Sequence, residues 1–176
     1  REAPQSNPSP QLPAEMLTQS QAILLYGERD RARNVEVLLR DLYQDGDRFY
    51  LRYTVLNHGP RAYRPARPTV IHLDPVKSSF SLIPLAGSQL SERALREIKT
   101  RTAGEAQVVA GEEPETVPAG GQAAGWIAFR LGASVKREQL VRVAFAPDST
   151  SAVDAVMVLG KNRTVREIAH GRPAGE

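Results

Sequence analysis

A short basic stretch between two predicted strands carries the residues best suited to binding chemistry. Proline fixes the backbone of a loop and so lowers the entropy lost on binding. Tyrosine and arginine are over-represented among the residues that dominate protein interfaces, and both could also stack on single-stranded nucleic acid or bind an acidic glycan. A solvated connection across the top of the domain explains the composition equally well. The stretch reads Arg61-Ala-Tyr63-Arg64-Pro65-Ala-Arg67-Pro68.

Trp126 is the only tryptophan of the chain. It lies in a predicted strand on the face opposite to Ile127 and Phe129, and in a β-sandwich such a residue usually packs between or against sheets. Its position on the opposite face would also allow it to anchor a partner. The candidate partner-binding residues are therefore Arg61, Tyr63, Arg64, Arg67 and Trp126.

Side chains that could support catalysis or metal binding are scattered along the sequence. The histidines His58, His72 and His170 show no ligand spacing, and the chain has no cysteine, which excludes thiol catalysis and Cys-ligated zinc. Neither a Gly-x-Ser-x-Gly elbow nor a His-Glu-x-x-His motif occurs. We predict no catalytic residues, no cofactor and no metal, and hence no enzyme. A hydrolase would require folding to bring a Ser or Thr hydroxyl to His58 or His72.

Charge and hydropathy restrict the partners of the chain. The 23 basic and 20 acidic residues are mixed along the sequence and give a net charge of +3. A nucleic-acid-binding domain usually gathers its basic residues on one face. No apolar run approaches the roughly 20 residues of a membrane span. The sequence thus gives no strong nucleic-acid signal and predicts no transmembrane segment.

The basic stretch follows the clearest structural pattern in the chain, a β-hairpin. Residues 48–57 alternate between apolar and more polar side chains, which predicts a strand with one face on a core. The segment Val35–Leu42 predicts the partner strand, and Asp45-Gly46 supplies the left-handed geometry of a tight turn. The apolar positions of the second strand are Phe49, Leu51, Tyr53 and Val55.

Further strands and one helix complete the predicted fold. Gln89–Arg101 shows helical periodicity and predicts one inserted amphipathic helix, which packs on a sheet or binds a partner. The Gly-, Glu- and Pro-rich stretch Thr102–Gly121 predicts a mobile loop around a short strand. The whole pattern predicts a mainly β fold, an immunoglobulin-like antiparallel β-sandwich of about seven or eight strands. The further strand segments are Thr69–Asp74, Ser79–Leu85, Gln107–Ala110, Gln122–Leu131, Gln139–Ala146 and Val153–Leu159.

Composition divides the chain into three regions. Residues 1–33 form a Pro-rich tail followed by a short helix over Ala14–Tyr26 and a charged linker, residues 34–160 form the sandwich, and residues 161–176 form a flexible tail. The Pro-rich start fits a linker from a membrane anchor or a preceding domain, and it fits equally well a remnant of no consequence.

Two spaced motifs resemble a known family. The first is Val35-x-Val37-x-Leu39 … Asp45-Gly46-x-x-Phe49-Tyr50-Leu51-x-Tyr53-x-Val55-x-Asn57-His58-Gly59. The second is Val117-Pro-Ala-Gly-Gly121 … Gly125-Trp126-x-x-Phe129. The pair resembles bacterial envelope immunoglobulin-like domains, most of all the C-terminal domains of the TraN family of conjugation proteins, which is similar to the VirB9 subunits of type IV secretion channels.

The resemblance implies a function. It implies a non-catalytic structural or assembly subunit of a bacterial cell-envelope machine of the secretion or conjugation type, which contacts other protein subunits of an envelope complex. It also implies a periplasmic or outer-membrane-associated location, and self-association into a homo-oligomer is a further expectation. The alternative is a glycan- or nucleic-acid-binding module that uses the loop at 60–68.

Overall fold

The computed structural model describes residues 10–29, 33–132, 137–145 and 153–160. These residues form two β-sheets that enclose one large apolar core, which confirms the predicted mainly β sandwich. The part of the chain described here contains eleven strands, more than the seven or eight expected. They are β1 (Gln21–Ala22), β2 (Leu24–Tyr26), β3 (Val35–Asp45), β4 (Arg48–Asn57), β5 (Thr69–Ser78), β6 (Ser88–Leu90), β7 (Ile98–Glu105), β8 (Gln107–Glu112), β9 (Gln122–Arg130), β10 (Gln139–Phe145) and β11 (Val153–Leu159).

The strand order places two pairs of consecutive strands at the sides of the sandwich. The first sheet has the order β1-β3-β4-β9-β8, and the second has the order β2-β6-β11-β10-β5-β7. The pairs are antiparallel except for β2, which runs parallel to β6. Because β1 leads into β2 and β7 leads into β8, the chain changes sheet at each side. The crossing residues Ile23 and Ala106 are both buried.

The hairpin predicted from the sequence forms as expected. The strands β3 and β4 pair from Val35 opposite Asn57 to Asp45 opposite Arg48. The turn between them contains Gly46, whose φ of 60° lies in the left-handed region that glycine adopts easily. The alternation of apolar and polar residues determines the register of this hairpin, because every second side chain faces the same core.

The helix predicted over Gln89–Arg101 is wrong in extent. Only Glu92–Arg96 of this segment is helical. It is named α2, because the turn Met16–Gln19 near the start of the chain is α1. Residues before it pair with β2 and β11 as strand β6, and Ile98 begins the edge strand β7. Tertiary pairing thus overrides a helical periodicity, as it often does for short segments. The side chain of Ser91 caps the remaining helix by accepting a bond from the Ala94 N–H.

Two other predicted segments differ from the structure. The strand β5 continues through Pro75 to Ser78, with a bulge after Pro75, and the predicted strand Ser79–Leu85 is instead a bend and a 3-10 turn at Ile83–Leu85. The predicted loop Thr102–Gly121 contains the second half of β7 and all of β8. The glycines Gly104 and Gly111 lie within these two edge strands, whereas Pro114 and Pro118 follow the end of β8. An edge strand needs only one partner, so it tolerates the glycines that suggested a loop.

The predicted helix over Ala14–Tyr26 shortens to one turn, α1, followed by β1 and β2. Met16 in α1 is fully buried, and it packs with Tyr50 and Trp126 on the outer face of the first sheet. Residues before position 34 therefore contribute strands and packing to the sandwich. Most of the predicted N-terminal tail and all of the predicted tail 161–176 lie outside the described residues.

Candidate functional site

The basic loop crosses one end of the sandwich. We define it as residues 58–68, which connect β4 of the first sheet to β5 of the second. Such a crossing connection lies outside both sheets, and its side chains are free to face solvent unless the loop is tied down. The backbone of this loop is held at its start by Asn57 and at its centre by hydrogen bonds between Tyr63 and Val117, which lies in a second segment.

Asn57, the last residue of β4, organises the start of the loop. It is only 2 % exposed. Its side-chain amide donates to the backbone oxygens of Arg61 at 2.7 Å and Val117 at 3.1 Å, while its side-chain oxygen accepts from the Gly59 N–H at 3.0 Å. A buried amide that satisfies three backbone groups fixes the path of the loop, because each group would lose a partner if the loop moved.

Tyr63 holds the centre of the loop. Its N–H donates to the Val117 oxygen at 2.9 Å, and the Val117 N–H donates back to the Tyr63 oxygen at 2.7 Å. The half-buried ring packs against the main core, and burial raises the pKa of its phenol. The ring of Tyr63 is therefore a support of the loop more than a free platform for stacking.

The three arginines of the loop are exposed. Arg61 and Arg64 form no ion pair with the residues that the structure describes. Arg67 lies 3.6 Å from the Glu113 carboxylate, with 58 % of its side chain exposed. The loop thus presents three exposed cations on a held backbone, and among the described residues only Arg67 has an acidic partner.

Trp126 is not part of this surface. It is 6 % exposed and lies in a cluster on the outer face of the first sheet, separate from the core that supports Tyr63. Met16 covers it together with Tyr50, whose ring centroid is 6.5 Å from that of Trp126. The structure therefore brings together four of the five predicted partner-binding residues, and it places the fifth under the chain's own N-terminal segment.

The two described histidines each contact one polar side chain. Nε2 of His72 lies 2.8 Å from the Gln139 side-chain oxygen, and Nε2 of His58 lies 3.2 Å from the Glu36 carboxylate. Neither contact is a Ser or Thr hydroxyl, which nucleophilic catalysis would need. Among the described residues, no group of three or more potential ligands could hold a metal ion.

A charged cleft adjoins the basic loop at His58, and sequence reasoning missed it. The cleft has a volume of about 410 Å³ and lies between β3 of the first sheet and β6, α2 and β11 of the second. Arg33 pairs with Asp154 of β11 at 3.1 Å and with Glu92 of α2. Arg29 binds Glu36 of β3 through two contacts at 2.8 Å and 2.6 Å. Arg33 thus connects the segment before β3 to α2 and β11 on the other side of the cleft, whereas Arg29 connects that segment to β3 itself.

Glu36 is a carboxylate of the cleft that contacts both Arg29 and His58. Burial raises its pKa, but hydrogen bonds from Arg29 and His58 favour the ionised form and outweigh burial, so the pKa lies below its ordinary value. The same contact raises the pKa of Arg29. An ionised, arginine-bound carboxylate is a structural connection, since it has no proton to give at neutral pH.

Only the three-dimensional arrangement reveals the cleft. Arg33 and Asp154 are 121 residues apart in sequence, and the predicted linker that contains Arg29 and Arg33 looked like a balanced, solvated connection. A charge-rich segment directly before a strand was the sole available signal, and it does not indicate which charges it meets.

Comparisons with known proteins add no relatives, because no family model, no curated protein and no solved structure matches the chain significantly. In the described part of the chain, no helix is long and apolar enough to cross a membrane.

Proposed function

We propose that the protein is a non-catalytic assembly subunit that binds other protein chains through the basic loop. In keeping with the family resemblance of its strand motifs, we place it in a bacterial cell-envelope machine of the secretion or conjugation type, in the periplasm or at the outer membrane. The partner surface that fits the loop is acidic.

One observation carries this proposal: the basic loop is fixed before any partner binds. Asn57 and the paired bonds between Tyr63 and Val117 hold its backbone. A preorganised loop loses less conformational entropy on binding than a mobile one. Because Arg61 and Arg64 are exposed and pair with no acidic residue in the described part of the chain, they are available to carboxylates of a partner, which arginine binds in bidentate geometry.

The geometry favours a protein partner over a nucleic acid or glycan. Single-stranded nucleic acids are bound by aromatic rings that stack on the bases, and the ring of Tyr63 is packed against the core instead. The carboxylate of Glu113 beside Arg67 would also repel a phosphate chain. The loop's fixed cations fit discrete carboxylates on a folded surface better than a continuous polyanion.

The test is a crosslinking pull-down of the tagged chain from its native host. Three baits are compared: the wild type, the loop variant Arg61→Ala/Arg64→Ala/Arg67→Ala, and a control variant Lys77→Ala/Arg93→Ala/Arg96→Ala. Both variants remove three exposed positive charges, so only position separates them. We expect the wild type and the control to recover the same envelope proteins and the loop variant to lose them.

Two results would contradict the proposal. Equal recovery by the loop variant would place the interaction elsewhere. Binding of single-stranded oligonucleotide or sulfated glycan by the wild type, lost in the loop variant and falling steeply with salt, would favour the alternative function, because release of counterions gives polyanion binding its salt dependence.

A further inference from the structure

We infer that the acidic surface that the basic loop binds belongs to a second copy of this chain, related to the first by a two-fold axis. The loop lies next to a segment of opposite charge, residues 113–118, which follows β8 and which we name the acidic segment. Each copy binds the acidic segment of the other through its basic loop. The inference rests on the proposed function, because it takes the same loop as the contact and assigns its partner.

The basic loop and the acidic segment lie side by side. Tyr63 and Val117 form an antiparallel bridge between them, with two backbone hydrogen bonds of 2.9 Å and 2.7 Å. Counting away from this bridge in antiparallel register places Arg67 opposite Glu113. The ion pair between these two residues follows the same register, because Nε of Arg67 lies 3.6 Å from the Glu113 carboxylate. The two segments therefore run alongside each other from the bridge to this ion pair.

This register creates two neighbouring rows of opposite charge. It places Glu115 opposite Pro65 and therefore next to Arg64. Glu115 and Arg64 are both exposed, and neither forms an ion pair with the residues that the structure describes. This end of the sandwich thus carries a basic row, Arg64 and Arg67, beside an acidic row, Glu113 and Glu115.

The backbone of both segments is held before any contact forms. The side-chain amide of Asn57 donates to the oxygens of Arg61 in the basic loop and Val117 in the acidic segment. The Val117 side chain is fully buried. The Gly121 N–H donates to the Pro118 oxygen at 2.9 Å and closes the end of the acidic segment. The spacing of the two rows is thus set in the single chain, which lowers the entropy lost on association.

A surface that carries both signs of charge side by side selects its partner. A uniformly acidic partner would be attracted by the arginines but repelled by Glu113 and Glu115, and a uniformly basic partner would be repelled by the arginines. The partner that fits carries two opposite rows at the same spacing. A second copy supplies them when the two-fold axis runs between the rows and along them. Arg67 then meets Glu113 of the second copy. Arg64 meets Glu115 of the second copy, and symmetry repeats both contacts.

Charge reversal in the purified full chain tests this arrangement. The basic-reversed variant is Arg64→Glu/Arg67→Glu, and the acid-reversed variant is Glu113→Arg/Glu115→Arg. Analytical ultracentrifugation over a concentration series measures the dissociation constant of the dimer for each variant, for an equal mixture of the two, and for a chain that carries all four reversals. Low ionic strength is used, because salt screens exposed charges.

A control separates the contact from a general effect of charge. Lys77→Glu/Arg93→Glu reverses two exposed cations outside both rows, and it should dimerise as the wild type does. The chain with all four reversals also serves as a control for folding, because it restores opposite charges within each copy as well as between copies.

We expect the wild type to dimerise and each reversed variant alone to bind itself at least about tenfold more weakly, because like charges then meet. The mixture of the two variants and the chain with all four reversals should both dimerise as the wild type does, because every pair again has opposite signs. A monomeric wild type, or a mixture that associates no better than either variant alone, would overturn the inference.

The pull-down from the native host tests the proposed function separately. If the purified chain is monomeric but the loop variant still loses its envelope proteins, only the assignment of a second copy as the partner fails. If the purified chain dimerises as expected but the loop variant recovers the envelope proteins equally, the proposed function fails and the contact between copies stands.

Discussion

At each side of the sandwich, two consecutive strands carry the chain from one sheet to the other, but the two sides differ in strand length and in charge. At one side, β7 and β8 change sheet at Ala106 over fourteen strand residues in total, and the outward positions include Lys99, Arg101 and Glu105. At the other side, β1 and β2 change sheet at Ile23 over only five strand residues, and the outward positions include Leu24 and Tyr26. The first side is long and charged, and the second is short and apolar.

The difference shows which side is protected from further pairing. Charged side chains and bulges on edge strands discourage the addition of another strand, and β8 also has a bulge between Val108 and Ala110. The short side lacks these features, and above β2 it leaves the charged cleft open. There Gln89 of β6 bridges the sheets by accepting from the Leu39 N–H and donating to the Val37 oxygen of β3. The Gln89 side chain thus makes two hydrogen bonds to the β3 backbone that a neighbouring strand would otherwise make.

The largest expected effect is at the crossing residue of the short side. Ile23→Ala should lower the free energy of unfolding by about 2–5 kcal/mol, because Ile23 is buried in the main core and its truncation leaves a cavity. The measurement is urea denaturation followed by circular dichroism. Leu24→Ala, one residue away but exposed, should change the value by less than about 0.5 kcal/mol. Equal effects would mean that the segment does not close the sandwich.

The bridge made by Gln89 is expected to have the next largest effect. Gln89→Met keeps the size of the side chain but removes its polar atoms, so the Leu39 N–H and Val37 oxygen lose buried partners. We expect the free energy of unfolding to fall by about 1–3 kcal/mol. Gln107→Met, on the exposed edge strand of the other side, serves as the matched control. A loss no greater than that of the control would exclude a bridging role.

The charges on β7 should govern association more than stability. Lys99→Val/Arg101→Val replaces exposed charges on the protected edge with β-branched residues, and we expect stability to change by less than about 0.5 kcal/mol. The same variant should elute at a larger mass in size-exclusion chromatography with light scattering, since an uncharged edge can pair. An unchanged mass would show that these charges do not protect the edge.

The smallest expected effect is a pH dependence of the cleft. The folded-state pKa of Glu36 lies below its ordinary value of 4.5, so its stabilising contribution is present above that value and is lost as pH falls through the folded pKa. Between about pH 5 and pH 3 the urea midpoint of the wild type should fall more than that of Glu36→Gln. Identical pH dependence in the two proteins would indicate that Glu36 contributes nothing to this loss of stability.

Local patterns in the sequence predicted the elements that depend on local rules. The hairpin of β3 and β4 was predicted because its side chains alternate toward one core. The strand Val153–Leu159 was also predicted, but it is apolar on both faces and contributes to two clusters. The segment around Gln89 was mistaken for a helix because its strand partners are distant in sequence. The basic loop was visible as composition, but its rigidity depends on Asn57 meeting Val117, which only the folded chain brings together.

We propose above all that this molecule acts through protein contacts at the basic loop. The most direct measurement places a photoreactive residue at Arg64 of the full chain in its native host, with the same residue at Lys99 as the control. We expect illumination to give a discrete crosslinked protein from position 64 and none from position 99. Equal crosslinking at both positions, or no crosslink at position 64, would contradict the claim.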